Sequence, residues 1–422
     1  MDSRFSFDFF FIDLFNDTSI KWSLDHVDTF EVLWILLAGV AFIEYSIVLL
    51  CTTITLIACK LYLHKPSGML EMGDVVPGVS IIKPLMGVDP FLEYNLESHF
   101  KLAYPKFELL FCCHDDKDGA IPLVNKLHKR YPHVDMKLLI GGAKDVVNPM
   151  VQNMAPAYEA ARYEFVWISS SRIEASDAIL NDMISKLQIL NVALVHQMPY
   201  ITGGHGFGSN VEKIYFGAFH AKFYIAFNML GFICVTGMSY MFKKTLLDQV
   251  NGLAWYGRYL AEDYFLTTAL HERGRLVLSA YPAKQNVGQT TLRGFADRQI
   301  RWSKLRLNMM PLVEVLESFS YCSHLGVISA LTLHHFLAIN PYNFFLAHVL
   351  LWIILDYIIL SYIENGPLLL SKFEFLKCWL VRELSATYIL VVALLNPHII
   401  KWHHRTFRVR LGGLTEQVKD EY

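Results

Sequence analysis

Residues 107–113, Phe-Glu-Leu-Leu-Phe-Cys-Cys, run directly into residues 114–119, His-Asp-Asp-Lys-Asp-Gly. A short, nearly continuous apolar run ended by acidic turn residues reads as a buried strand with a polar carboxyl end. The flanking sequence repeats this pattern. Strands are predicted over 79–82, 136–140, 164–168 and 192–196, with helices ending near His99 or Phe100 and covering 120–130 and 156–162, and with 83–90 as a loop. Apolar strands alternating with helices predict an α/β domain on a mainly parallel sheet covered on both faces. Such sheets bind ligands at the carboxyl ends of their strands. The residues after 113 and after 168 are therefore the first place to look for a site.

The first of these edges carries Asp115, Asp116 and Asp118, which suit the hydroxyls of a ribose, a base edge or a hard cation. Taken alone, a solvated Asp-rich turn is the simpler reading. The second edge, Ser169-Ser170-Ser171-Arg172, offers hydroxyls and one guanidinium, a set suited to an anion rather than a metal, although a polar loop reads the same way. Ala261-Glu262-Asp263-Tyr264-Phe265 places two acids at the start of an apolar helical stretch, where the helix dipole favours them. In Arg298-Gln299-Ile300-Arg301-Trp302 the arginines and the tryptophan share one helical face. With Arg293, Lys304 and Arg306 this stretch fits an amphipathic helix on anionic headgroups, or a clamp on a departing diphosphate. Residues 203–208, Gly-Gly-His-Gly-Phe-Gly, lack both phosphate-loop registers and are expected to be a flexible loop. His196 ends a strand, where a histidine is ordinarily a hydrogen-bonded structural residue.

Composition sets the wider frame. The 422 residues are 54% hydrophobic and only 18% charged, with a mean hydropathy of +0.32, which argues for membrane segments. A net charge of −2 gives no basic footprint for nucleic acid, and Gly and Pro are too few for a low-complexity chain. The seven cysteines are scattered, without the spacing of a zinc site or a disulfide scaffold.

Residues 32–59 hold Glu44 as their only formal charge and are long enough to span a bilayer as a retained signal-anchor. Residues 1–31 carry only Arg4 and Lys21 as basic groups, while Lys60 and Lys65 follow the span, so the first segment is expected in the lumen and the domain at 60–315 in the cytosol. Residues 316–400 form a membrane-associated helical region with apolar stretches at 325–339, 343–363 and 376–395, followed by a basic tail at 401–422. The first stretch is short and holds His334 and His335; the third holds Arg382 and Glu383. Three full spans would put Lys401, Arg405, Arg408 and Arg410 in the lumen, so one of the three is expected not to cross.

An Asp at one strand end, a Glu-Asp pair and Arg-x-x-Arg-Trp, followed by membrane segments, resemble the membrane glycosyltransferases of the GT-A fold that carry a (Q/R)xxRW signature. In continuous text the chain is similar to the ceramide glucosyltransferase family. The resemblance rests on Val79–Leu85 with Gly87-Val88-Asp89-Pro90, on Ile140-Gly141-Gly142, Asn148-Pro149 and Val195-His196, and on Cys234-Val235-Thr236-Gly237-Met238-Ser239 with the two motifs above.

The resemblance implies a GT-A-like cytosolic domain on the Golgi membrane that moves glucose from UDP-glucose to the primary hydroxyl of ceramide with inversion, the first step of glycosphingolipid synthesis. It implies Asp263 as the base, His196 at or near the active site, Asp115 near the uridine, and Arg298, Arg301 and Trp302 against the diphosphate and acceptor. In the family an Asp that serves a cation, Mg²⁺ or Mn²⁺, stands where this chain has Ser170 with Ser171-Arg172, and a Lys stands where it has Met150. Arg172 is positioned to meet the diphosphate in place of the missing carboxylate. Two alternatives remain open on the sequence: a weakened or inactive relative that binds lipid or a partner, and a membrane transferase of the chitin, hyaluronan or dolichol type.

Overall fold

The computed structural model describes residues 29–65, 76–204, 206–402 and 404–418. Residues 1–28 of the expected lumenal segment and 419–422 of the tail lie outside the described residues.

Among the described residues, nine strands belong to the central domain: β1 (Val79–Leu85), β2 (Phe107–Cys113), β3 (Met136–Ile140), β4 (Phe165–Ser169), β5 (Val192–His196), β6 (Pro199–Ile201), β7 (Ser239–Lys243), β8 (Arg275–Leu278) and β9 (Ala283–Gln285). Seven of them form one sheet in the order β3-β2-β1-β4-β7-β5-β8, and β6 pairs with β9. Six of the seven run parallel, as expected. β7 runs against both neighbours and pairs Ser239 with Ser169, so it enters the sheet at the edge where the parallel strands end.

The helices in chain order begin with α1 (Thr29–Leu61), α2 (Leu92–Phe100), α3 (Ala120–Arg130), α4 (Pro149–Ala160), α5 (Asp177–Leu187), α6 (Phe207–Ile214) and α7 (Ala221–Met229). They continue with α8 (Lys244–Asp248), α9 (Gly252–Trp255), α10 (Glu262–His271), α11 (Leu292–Met309) and α12 (Pro311–Phe319), then α13 (Cys322–Leu337), α14 (Pro341–Glu364) and α15 (Lys372–Leu395). Alternate residues of each strand face opposite sides. Leu109, Phe111 and Trp167 pack on α2, α3 and α5, while Leu110, Val166 and Ile168 pack on α4 and α10. The apolar runs are continuous because both faces are covered.

Two boundaries differ from the sequence reading. β1 continues through Lys83-Pro84-Leu85, which was expected to be loop; its pairing with β4 stops at Ile82, so Pro84 lies beyond the doubly paired part of the strand. α4 begins at Pro149 rather than Pro156. Asn148 caps it by accepting the N–H groups of Met150 and Val151, with proline at the first helical position. Pro156 cannot donate to the Gln152 carbonyl one turn back, and that carbonyl accepts the Ala143 N–H at 2.7 Å instead.

The glycine-rich loop is also corrected. A Cβ at Gly203 would lie 2.1 Å from Asn286 Oδ1, and one at Gly208 would lie 2.2 Å from the Thr290 carbonyl oxygen. These glycines permit close packing onto the segment that leads into α11; His205 lies outside the described residues.

Among the described residues, three helices are long and apolar enough to cross a membrane: α1, α14 and α15. The stretch at 325–339 falls on the 16-residue α13, which at about 1.5 Å per residue is too short for a ~30 Å core. Charges inside the candidate spans turn inward and are paired. Glu44 accepts the Ser320 hydroxyl at 2.8 Å. Asp356 of α14 meets Lys222 of α7 and Arg382 of α15, each at 3.0 Å, and also accepts the Trp379 indole N–H. Arg382 bonds Glu383 as well. The charges that argued against α15 as a span are therefore buried and neutralised.

Beyond α15 the chain forms a three-stranded sheet, β10 (Ile399–Trp402), β11 (Arg405–Val409) and β12 (Thr415–Val418). It docks on the α/β domain. The Leu260 N–H donates to Thr415 Oγ1 at 3.3 Å, the Gly412 N–H to the Asn308 carbonyl at 2.8 Å, and Arg405 to Gln152 Oε1 at 3.2 Å. The tail therefore lies on the side of the α/β domain, which fits two crossings after that domain rather than three.

Candidate active site

Asp263 stands at the start of α10. Its Oδ2 accepts the Gly237 N–H at 2.6 Å and its Oδ1 the Tyr264 N–H at 2.9 Å. Glu262 beside it is buried and accepts Asn148 Nδ2 at 2.6 Å. Asn148 also donates to the Tyr259 carbonyl at 2.8 Å, so one side chain ties the start of α4 to the approach to α10. Burial raises both carboxyl groups above their ordinary values, and the Asp263 charge helps carry Glu262 to about 8. At neutral pH Glu262 holds its proton.

The loop that touches Asp263 also touches the end of β4. The Met238 carbonyl, next to Gly237, accepts the Ser170 N–H at 2.9 Å. Lys83 is fully buried beneath this corner, where Nζ donates to the Ser170 carbonyl at 2.8 Å and to Ser169 Oγ at 3.2 Å. It fixes the backbone that presents Ser170 and Arg172. The Arg172 carbonyl accepts the Asn286 N–H at 2.9 Å, joining this loop to the segment before α11.

Three arginines converge here. Arg298 is paired with the buried Glu212 of α6, and Arg301 lies over the Trp402 ring with its guanidinium carbon 5.5 Å from the centroid. Arg172 and Arg301 have no carboxylate partner at ion-pair distance among the described residues. Burial lowers both from the ordinary arginine value, and mutual repulsion with Arg298 adds to it, bringing Arg301 to about 10. Partly buried cations that repel one another form a place where an anion is strongly favoured. Trp302, one turn beyond Arg298 on α11, packs edge-on to Phe216 at 5.9 Å, in the π-helical turn Tyr215–His220 between α6 and α7.

His196 is fully buried. Its Nε2–H donates to Asn228 Oδ1 at 2.9 Å and its Nδ1 accepts the Tyr224 hydroxyl at 2.7 Å, a tautomer set by the Asn228 amide, which donates to the Tyr224 and Cys234 carbonyls. Burial lowers its pKa to about 3, so it stays neutral. Asp115 is exposed at the end of β2, one strand removed from β4, and its Oδ1 accepts the Lys117 N–H at 2.9 Å. Asp118 is committed to the fold, because it accepts from the Gly87 and Ala120 amides.

The structure thus joins Asp263, Ser170, Arg172, Arg298 and Arg301 at one edge, leaves Asp115 at the far end of that edge, and surrounds His196 with protein. The sequence reading held Lys83 and Asn148 only as parts of the stretches that carry the resemblance, with no role, and overlooked Glu212. Lys83 had a signal, since a lysine inside an apolar strand must find partners when buried; Glu212 had none without its distant arginine.

The sequence profile of glycosyl transferase family 21 matches residues 36–415. Ceramide glucosyltransferase 1 of Caenorhabditis elegans is 38% identical over 398 residues, covering 94% of this chain and 84% of that protein. Ceramide glucosyltransferase 3 of the same organism is 38% identical over 380 residues, covering 90% and 82%. The ceramide glucosyltransferase of Komagataella phaffii is 28% identical over 470 residues, covering 91% and 92%. Among solved structures, a mannosyltransferase from Pyrobaculum calidifontis in complex with GDP-Man and Mn²⁺ superposes with a TM-score of 0.51 at 15% identity. That match covers 84% of this chain and 99% of the mannosyltransferase, a likeness of fold.

Proposed function

The chain belongs to glycosyl transferase family 21, and on that footing we propose that it transfers glucose from UDP-glucose to the primary hydroxyl of ceramide, with inversion, on the cytosolic face of the Golgi membrane. The observation that carries this reading is the joining of Asp263 to the arginine cluster through Gly237, Met238 and Ser170, in a chain so similar to ceramide glucosyltransferases. An inverting displacement needs a base on one side of the anomeric carbon and positive charge on the other, where the leaving group departs.

The ceramide oxygen forms the new bond to the anomeric carbon as the bond to the UDP oxygen breaks. Asp263 takes the hydroxyl proton, and its raised pKa makes it a better base than a solvated aspartate. Arg172, Arg298 and Arg301 receive the charge that develops on UDP. Asp115 accepts hydrogen bonds from the nucleoside. His196 is a positioning residue that holds Tyr224 and Asn228, and through Asn228 the Cys234 carbonyl three residues before Gly237.

A divalent cation does not fit the end of β4, where Ser170 and Arg172 supply a hydroxyl and a guanidinium in place of a carboxylate. The guanidinium groups carry the charge stabilisation in this account. The test is transfer of labelled glucose to a short-chain ceramide in membranes bearing the full chain. Formation of glucosylceramide supports the reading, and its absence with the chain folded and inserted rejects it.

A further inference from the structure

The three-stranded sheet at the end of the chain touches both helices that carry the transfer groups. On α11 it meets one face, at the three- and four-residue spacing that brings side chains together on a helix. Arg301 lies over the Trp402 ring, and Lys304 Nζ donates to the Ile399 carbonyl at 3.0 Å. One turn further on, Leu305 packs against the cluster of Leu260, Ile400, Phe407 and Val409, and Asn308 Nδ2 donates to the Pro397 carbonyl at 2.9 Å.

On α10 the sheet meets the approach and the first turn. Leu260, three residues before Asp263, belongs to the same apolar cluster, and Tyr259 forms an antiparallel bridge with Leu414. Gly413, at φ +85°, lies where the two helices come together. A Cβ there would be 2.7 Å from Phe265 Cζ on α10 and 3.0 Å from Met309 Cγ on α11, so only glycine fits without moving one helix from the other. Trp402 is fixed from a second side, because its cross-strand partner Arg405 donates to Gln152 of α4 at 3.2 Å. A ring is a suitable support for Arg301. It attracts the guanidinium through its face while leaving the N–H donors and the positive charge free, whereas a carboxylate in its place would neutralise the charge.

We propose that the C-terminal sheet braces the base against the guanidinium clamp, with Trp402 as a positioning residue that aims Arg301 at the departing diphosphate and Gly413 as the spacer that sets α10 against α11. The proposal rests on the proposed function and extends it to the tail.

The test measures transfer to short-chain ceramide and binding of UDP by the full chain in lipid nanodiscs. Trp402→Leu keeps an apolar side chain but removes the ring, and is expected to lower kcat/KM for UDP-glucose about tenfold, while Trp402→Phe stays within about threefold of the wild type. Trp402→Met takes its place where the leucine variant does not fold. In an Arg301→Gln background Trp402→Leu is expected to cost less than about twofold more, because the group it aims is gone. An undiminished rate in Trp402→Leu, or an equal loss with and without Arg301, overturns the role of Trp402. Gly413→Ala tests the other end: kcat is expected to fall about tenfold with UDP affinity held within about twofold, since the added Cβ shifts the base relative to the clamp. Wild-type kcat in that variant overturns the brace. A wild type that binds UDP but makes no glucosylceramide counts against the transferase reading alone, and the Trp402 series is then decided on UDP affinity with the same expectations. A wild type that does not bind UDP overturns both.

Discussion

The carboxylate of Asp263 lies 2.6 Å from the Gly237 amide nitrogen, on a loop where a Cβ would come within 3.2 Å of the same oxygen. The contact aims the carboxylate, and burial raises its pKa. Only the ionised form can take a proton, so kcat/KM should rise with pH through a limb lying above the ordinary aspartate value. Glu262 holds its proton up to about pH 8, so Glu262→Gln should keep an acid limb that belongs to Asp263 in place. A pH–rate profile of both proteins checks this, and a limb at or under the ordinary value would contradict it.

Arg172 stands two residues after Ser170, the position at which the family resemblance places a metal-serving carboxylate. If guanidinium groups neutralise the diphosphate, Arg172→Gly should lower kcat/KM for UDP-glucose on the order of 10²-fold or more. Chelator or added Mn²⁺ should change the wild-type rate by less than about threefold, compared with the several kcal/mol that removal of a required metal costs. An undiminished rate in Arg172→Gly, or full loss of activity with chelator, would refute this assignment.

His196 is bonded at both ring nitrogens and neutral across the working range, its pKa being about 3. His196→Gln should slow transfer by loosening Tyr224 and Asn228, yet leave the pH profile where the wild type has it. A displaced or missing limb in that variant would show that the imidazole itself moves a proton.

Asp356 neutralises two buried cations, Lys222 and Arg382, each at 3.0 Å. Asp356→Ala strands Lys222 and leaves Arg382 with Glu383 alone, and it should destabilise the detergent-solubilised protein by about 3–5 kcal/mol. Lys222→Met leaves Asp356 with Arg382 and the Trp379 indole, so it should cost clearly less. Thermal denaturation of the two variants measures the difference, and equal losses would mean that the network does not work as a unit.

The sequence was legible where one local rule governed. Phe107–Cys113, Met136–Ile140, Val192–His196 and Ala120–Arg130 came out at their predicted limits because apolar runs and turn residues mark them. α4 was read as starting at Pro156 because proline usually opens helices; here Ala143 takes over the carbonyl that Pro156 leaves free. β7 went unread because Ser-Tyr-Met-Phe-Lys has no distinctive period, and its antiparallel insertion depends on strands far away in the chain. Arg382 and Glu383 made α15 look interfacial until Asp356 was placed beside them. The Asp263 and arginine motifs were recognisable, but their joining through Gly237, Met238 and Ser170 is a property of the folded chain alone.

The most direct test of the account is the transfer of glucose from labelled UDP-glucose to short-chain ceramide by membranes carrying the wild type or Asp263→Asn, at matched expression and without added metal. The account predicts glucosylceramide from the wild type and a loss of about 10²–10⁴-fold in the variant, the range for removal of a general base. A silent wild type, or an Asp263→Asn variant that keeps the wild-type rate, would contradict it.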